Sequence, residues 1–390
     1  MEIAVVSDLI FPVIGGAERR IVEIYKRLAK KHKVTFYTTK NTTPQVDDLS
    51  AKKGNEASIE ARNSLSLDAN NIDVKYLTIQ EEQLYRSNGQ RKIKGGLQFA
   101  IKMAREKLDY DVLDMNIFPH VIPWIVNKKL KSTKSYITVH EVWGNYWEKY
   151  PAYISLLGKR MEKQVLEGRS GLIFVSEWMQ ERSRQIIPRM NPNSEVIPNG
   201  VDTSFFYPRE EKEEEKILYV GRLIPYKRVE LLLEAMKWLT KKRPGITLKI
   251  IGEGPSREKI KQLIKELGLK EKVELEHNIT DEKLREEYQK AKILVQPSER
   301  EGQSIVALEA MASGTPVISV ESKWSALEKI IKGKRIGEVA KAKRKELGIK
   351  IDQLIEDEEK YRTYQKNGIK HAKEHDWKKI TQKIEQKFKE

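Results

Sequence analysis

The chain has 390 residues, 39% of them hydrophobic and 33% charged, with a formal net charge of +16 and no cysteine. That length exceeds one ordinary core and predicts two domains, with three as the alternative. The lack of cysteine excludes a disulfide framework, thiolate catalysis and zinc–thiolate sites. The positive charge invites a nucleic-acid reading, but acids are interleaved almost everywhere and no basic arm stands apart. The excess therefore reads as solvated surface, equally suited to an anionic lipid or a phosphorylated small molecule.

The first stretch, MEIAVVSDLIFPVIGG, lacks a basic leader and carries Glu2 and Asp8, so it reads as a buried strand and not a signal peptide. No apolar run reaches the ~18 residues of a membrane span. A cytoplasmic protein is expected, with peripheral contact to the inner face of the cytoplasmic membrane as the alternative.

Apolar runs then alternate with helical periodicity from end to end, which predicts an α/β fold with parallel sheets and helices on both faces. In the first half, strands are expected at Ile3–Ser7, Val34–Thr38, Val112–Met115, Ser135–Val139 and Leu172–Val175, with helices at Ala17–Lys31 and Leu97–Lys107. The polar segment Thr42–Asn71 reads as a long loop or insertion. After VIPNGVDTSFFYP, the run EEKEEEK reads as an interdomain linker or an exposed lead-in. A second alternation follows: strands Lys216–Val220, Thr247–Ile251, Lys272–Glu276, Ile293–Gln296 and Pro316–Val320, separated by helices Arg228–Thr240, Ser256–Leu267, Glu282–Lys290 and Ser304–Ala312. Two doubly wound units result, and such sheets bind ligands outside the carboxyl ends of their strands.

Two stretches place chemistry at those ends. In SEREGQSIVALEAMASGTPVISV, Glu301 follows a strand and Glu309 lies on the next helix, in a run otherwise small or apolar. Burying an unpaired carboxylate is costly, so both acids should face a partner. The helix N-terminus offers unpaired N–H groups to an anion, and Gly302 lets that backbone come close. A glycosidase would need its carboxyls ~5–9.5 Å apart, whereas eight residues of helix span ~12 Å. The spacing suits acids that bind separate hydroxyls of one elongated ligand, with loop surface and a paired helix residue as the plainer alternatives. In LYVGRLIPYKRVELLLEAM, Gly221 and Arg222 follow a strand and Lys227 precedes a helix. A planar guanidinium fork and a mobile ammonium together suit a diphosphate, although each alone reads as surface.

EGQSIVALEAMASGTPVIS resembles the signature of retaining glycosyltransferases of family four, in which two Glu are separated by seven residues. VGRLIPYK, VIPNGVD and PVIGGAERR resemble other stretches of that family in the same order. The resemblance covers nearly the whole chain apart from Thr42–Asn71 and the segment after Val320. It implies a GT-B architecture of two Rossmann-like domains facing across a cleft. The expected domains are 1–205 for the acceptor, 206–376 for the sugar nucleotide, and a terminal helix, 377–390, returning to the first.

Position by position, the resemblance assigns Arg222 and Lys227, beside Gly221, to the donor diphosphate. It assigns Glu309 to the ribose hydroxyls and Glu301 to hydroxyls of the transferred sugar. The backbone of Gly302, Gln303, Ser304, Ile305 and Val306 would approach the sugar or phosphates. Gly15 and Gly16 match the loop that closes on the reaction centre, Gly16 on its donor side, and His140 matches an acceptor-side histidine. Arg222, Lys227, Glu301 and His140 form the expected catalytic set, with no base assigned to His140. The implied reaction moves a mannose, glucose or N-acetylhexosamine from a nucleoside diphosphate to a hydroxyl of a glycan, a lipid-linked or a small-molecule acceptor. No cofactor and no metal are expected, and the leaving diphosphate takes the acceptor proton.

Other readings are an epimerase or hydrolase of the same fold, or a sugar-nucleotide- or nucleic-acid-binding protein without turnover; the intact set of both Glu, Arg222 and Lys227 argues against a degenerate site. Gln303 and Ser304 stand where the family often has an aromatic and a Gly, and VESKWSALEKI replaces its usual paired-Gly loop. Asp109-Tyr110-Asp111 imitates a metal-binding Asp-x-Asp but reads as the lead-in to a strand. Trp143, Tyr146, Trp147, Tyr150 and Tyr153 read chiefly as packing, with a sugar pocket or a bilayer interface as alternatives, and the 128–134 cluster of lysines adds to the latter.

Overall fold

A computed structural model describes residues 1–8, 15–41, 71–80, 94–130, 133–209 and 213–390. Those up to Pro198, joined by Ile380–Glu390, form one compact unit, and Asn199–Lys379 form a second. Residues 42–70 of the expected insertion and 210–212 of the expected linker lie outside the described residues.

In the first unit the strands are β1 (Glu2–Val6), β2 (Lys33–Asn41), β3 (Ile72–Gln80), β4 (Val112–Asn116), β5 (Lys134–Val139), β6 (Gly171–Phe174) and β7 (Ser194–Val196). They lie in the order β3-β2-β1-β4-β5-β6-β7, and every pairing is parallel. The strand order reverses between β1 and β4, the switch point at which such sheets open a crevice. All five residues of β4 and all four of β6 are buried; the apolar stretches Leu172–Phe174 and Val112–Leu113 make them legible, although Asp114 and Asn116 are buried polar members of β4. β3 and β7 were not anticipated. β3 is an edge strand whose Tyr76 and Ile79 stay exposed, so no buried run marks it, and β7 has three residues. The helix Val121–Lys129 is hidden in sequence by Pro123, which sits in the first turn, where its missing N–H has no helical partner to lose.

In the second unit β8 (Glu213–Val220), β9 (Thr247–Ile251), β10 (Val273–Glu276), β11 (Ala291–Gln296), β13 (Val317–Val320) and β15 (Gly337–Ala340) form a parallel sheet in the order β10-β9-β8-β11-β13-β15. A separate ribbon pairs β12 (Arg300–Glu301) with β14 (Trp324–Ser325). Part of the expected linker belongs to the sheet, because β8 begins at Glu213 opposite Ala291. Its charges are matched there: Lys216 meets Glu287 at 3.1 Å and Glu215 meets Arg243 at 3.5 Å.

By packing, the first unit runs to Pro198 and the second begins at Asn199. Asn199 donates to the Gln303 carbonyl at 3.1 Å, Val201 bridges to Asp376, and Phe206 packs edge-on to Tyr288. These contacts make VDTSFF part of the second core. The final helix, Trp377–Lys389, starts against Gly200, where an added Cβ would lie 2.5 Å from the Trp377 ring. From Ile380 onward its residues belong to the first unit. There Phe388 stacks on Tyr136 at 5.3 Å, and Tyr136 donates to the Lys387 carbonyl at 2.7 Å.

Candidate active site

The loop after β8 carries both predicted cations, and its path is set by close backbone packing. Gly221 has φ +153° and donates its N–H to Ile251, while an added Cβ at Gly252 would lie 2.0 Å from the Gly221 carbonyl. Only glycine admits such a conformation and approach. Leu223 then exchanges bonds with the next loop, donating to Glu253 at 2.8 Å and accepting from Ser256 at 2.9 Å. Leu223 and Ile224 are buried, a 3-10 turn covers Pro225–Lys227, and left-handed Arg228 precedes the helix Val229–Lys242. The apolar pair anchors the loop, which brings Arg222 and Lys227 to the same edge of the sheet.

The loop after β11 meets it there. Glu299 donates its N–H to the Tyr226 carbonyl at 2.7 Å. Ser322 donates to the Glu299 carbonyl, and β14 pairs with Arg300 and Glu301. The segment that departs from the family pattern thus forms the strand that holds Glu301. Lys227 Nζ donates to Glu301 Oε1, with 13% and 12% of the two side chains exposed. Arg222 Nη2 donates to the Tyr226 hydroxyl at 3.0 Å, and the Arg300 guanidinium lies 4.4 Å from the Tyr226 ring centroid. One aromatic ring thereby aligns two guanidinium groups through a hydrogen bond and a cation–π contact. Beneath them, burial pushes the Tyr219 hydroxyl well above its usual pKa, and the nearby Glu301 adds to this.

Past Glu301, Gly302 is buried and Gln303 accepts from the Asn199 N–H through its side chain and from the Asn199 amide through its carbonyl. Ser304 caps the helix Ile305–Ala312, accepting from the Ala307 N–H at 3.2 Å. Ile305 is buried and Val306 half-buried. Glu309 lies on this helix, 2% exposed, and accepts from the Tyr288 hydroxyl at 2.9 Å. Lys227, Glu301, Arg222 and the helix start therefore converge, whereas Glu309 is engaged by Tyr288 from the neighbouring helix Asp281–Lys290.

The residues expected on the acceptor side lie in the first unit. Gly15, extended, precedes the helix Gly16–Leu28, and Gly16 is exposed. An added Cβ at Gly15 would collide with the Glu18 carboxylate at 2.2 Å. His140, directly after β5, meets Asn116 Oδ1 through Nε2 at 3.1 Å, and Asn116 Nδ2 donates to Ser7 Oγ at 2.9 Å. His140 is only partly covered, yet burial of its ring's surroundings and the nearby Arg20 charge push its pKa down to about 3. Buried Arg20 donates to the Pro198 carbonyl at 2.5 Å, and burial lowers its pKa to about 10. Asp114 accepts from Tyr25 at 2.5 Å and from Thr138 at 3.3 Å. Burial raises its pKa to about 6, against the pull of Tyr25 and Arg20.

Sequence reasoning missed Tyr226, Asn199, Asn116, Arg20 and the Trp324–Ser325 strand. Tyr226, Asn199 and Arg20 stood inside the quoted stretches, but only the folded chain shows which side chain each aligns. Asp111 accepts from the Glu2 N–H at 2.8 Å, so this member of the Asp-x-Asp imitation secures the start of β1. Trp143 and Trp147 are buried; Trp143 stacks on Tyr150 and meets Tyr146 edge-on, Trp147 lies tilted against Trp143 and Tyr150, and Tyr153 is exposed.

Two all-parallel α/β units in succession, one with cations and acids gathered at adjacent strand ends, are the units of a GT-B fold. The chain belongs to the glycosyltransferases of family 4 and group 1: the model for Glycosyltransferase Family 4 matches residues 14–205 and that for Glycosyl transferases group 1 matches residues 201–371. It is 32% identical over 182 residues to the MMP alpha-(1->4)-mannosyltransferase of Mycolicibacterium hassiacum, a match covering 46% of this chain and 44% of that protein. The chain thus spans less than half the length of that relative. Among solved structures, the sucrose-phosphate synthase of Thermosynechococcus elongatus superposes with a TM-score of 0.76 at 20% identity, covering 100% of this chain and 98% of that one. Anabaena Alr3699/HepE, solved in complex with UDP-glucose, superposes with a TM-score of 0.73 at 18% identity, covering 100% and 99%. At such identities these two likenesses establish the fold.

Proposed function

We propose that the protein moves a hexose from a nucleoside-diphosphate sugar to a hydroxyl acceptor with retention of configuration. The observation that carries this reading is the meeting of Arg222, Lys227 and Glu301 beside the capped start of the helix Ile305–Ala312. Arg222 supplies a planar fork and Lys227 a point charge for a diphosphate, and the helix start adds backbone N–H groups. Glu301 accepts from sugar hydroxyls, and Glu309 from the ribose once a ligand competes with Tyr288. The UDP-glucose bound by Anabaena Alr3699/HepE supports a sugar nucleotide as donor, and the mannosyltransferase relative keeps a mannosyl donor in view.

In this reading the two cations stabilise the negative charge that grows on the leaving diphosphate, so no metal ion is required for that purpose. The leaving phosphate oxygen takes the acceptor proton, and His140 lies on the acceptor side as a neutral imidazole.

Thermal shifts with GDP, UDP and ADP sugars, followed by mass spectrometry of products and NMR of the anomeric configuration, test the proposal. A stabilising donor with an α-linked product from an α-linked donor is expected. Inverted product, free sugar alone, or an epimerised sugar nucleotide would refute it.

A further inference from the structure

We propose that the outward face of the helix Ala152–Leu166 is a docking surface for an anionic lipid bilayer. This goes beyond the donor-site reading and does not depend on it. The inner face of the helix, with Ser155, Gly158, Glu162, Val165 and Leu166, is buried. An added Cβ at Gly158 would lie 2.3 Å from the Trp147 ring, so the helix rests directly on that indole. Glu162 accepts from the N–H groups of Trp143 and Gly144 and from Trp147 Nε1, at 2.7, 2.8 and 3.2 Å. The helix is therefore anchored from below, and its outward side chains contribute little to holding it in place.

The outward side chains of its first two turns are largely apolar. Tyr153, Leu156 and Leu157 are 74%, 73% and 53% exposed. Their spacing puts them on one stripe that continues to exposed Arg160. Single exposed hydrophobics are ordinary, but a contiguous group marks an interaction site. Beside the stripe, Trp124 donates Nε1 to Gln164 at 2.5 Å, and Lys128 Nζ sits 3.6 Å above its ring. A hollow of about 300 Å³ opens between Trp124, Lys128, Leu157, Arg160, Met161 and Gln164.

The charge around the stripe selects the occupant. Among the described residues Lys128 and Arg160 face no carboxylate, whereas Lys159 is paired with Glu148 at 2.7 Å and Lys163 with Glu167 at 3.9 Å. An apolar stripe next to long cationic side chains and an indole fits acyl chains below phosphate headgroups. A second copy fits less well, because a self-complementary contact through this patch would bring two cationic edges together.

Co-sedimentation of the full chain with vesicles of phosphatidylcholine, with and without one-third phosphatidylglycerol, tests the surface. Binding to the anionic vesicles should exceed binding to neutral ones at least tenfold and weaken with salt. Both Leu156→Gln/Leu157→Gln and Lys128→Glu/Arg160→Glu should reduce it at least tenfold while leaving the melting temperature within a few degrees. No binding to anionic vesicles, or binding that both double variants keep, would overturn the proposal. So would a dimer in sedimentation velocity that Leu156→Gln/Leu157→Gln dissociates while wild-type protein ignores vesicles.

Discussion

Lys227 and Glu301, 74 residues apart, are joined by a direct ion pair between loops that follow β8 and β11. Each holds the other in place before any ligand arrives. The pair also places one positive and one negative group side by side, as a sugar diphosphate requires.

Replacing Lys227 with Ala should lower donor turnover by about 10²–10³, the size of effect seen when one preorganised charge is removed from a transition state. It should also destabilise the fold by about 1–3 kcal/mol, because Glu301 loses a partner in a mostly covered site. Product formation by mass spectrometry and urea unfolding measure the two effects. Near-normal turnover would remove Lys227 from the reaction.

Arg222 and Lys227 carry the phosphate charge in the proposed reaction, so excess EDTA should leave turnover within about twofold of the untreated enzyme. If chelation abolishes transfer and a divalent ion restores it, the cation pair does not suffice.

His140 should titrate far below ordinary histidine, and its form follows from its neighbours. Asn116 gives its amide hydrogen to Ser7, so its Oδ1 accepts and His140 carries its proton on Nε2. Nitrogen NMR should show the Nε2–H tautomer unchanged down to about pH 4, with His140→Gln assigning the signal. The unfolded chain gains the proton near 6.5 and the folded one only near 3. Between those values the unfolded state binds more protons, so this group's contribution to stability is complete above 6.5 and is lost as pH falls toward 3. His140→Gln should flatten that part of the stability curve, by at most about 1.4 kcal/mol per pH unit. Protonation near pH 6.5 in the native protein would contradict the burial argument.

Gly200→Ala should cost about 1–3 kcal/mol, a typical penalty for overpacking. The new methyl group would meet the Trp377 ring at 2.5 Å and the His375 carbonyl at 2.9 Å. Urea unfolding with an unchanged slope checks it, and a variant as stable as wild type would show that the final helix yields easily.

Legibility followed burial. Strands covered on both faces, such as β4 and β11, are built around short apolar stretches, Val112–Leu113 and Ile293–Val295, and were expected close to where they lie. The edge strand β3 and the three-residue β7 lack that pattern and escaped notice. The candidate site divides in a similar way. Glu301, Arg222 and Lys227 drew attention because cations and carboxylates at two strand ends of one unit together complement a sugar nucleotide, although each alone reads as surface. Tyr226, Asn199 and Asn116 did not, because a neutral polar side chain gains its meaning only from the group it orients. The aromatic segment divided on folding, Trp143 and Trp147 going to the core while Tyr153 stayed outside.

Local periodicity and residue chemistry by themselves determined the class of fold, the order of most elements and the residues proposed to bind a diphosphate and hydroxyls. They act between neighbours in the chain, and neighbours are what a sequence displays. Pairing across long separations was decided only in three dimensions. The Lys227–Glu301 contact, the seating of Trp377 on Gly200 and the engagement of Glu309 by Tyr288 depend on which strand lies beside which and how closely their loops pack. Glu309 shows the difference most clearly: its position in the motif was plain, but its burial and its partner come from a helix that precedes it in the chain.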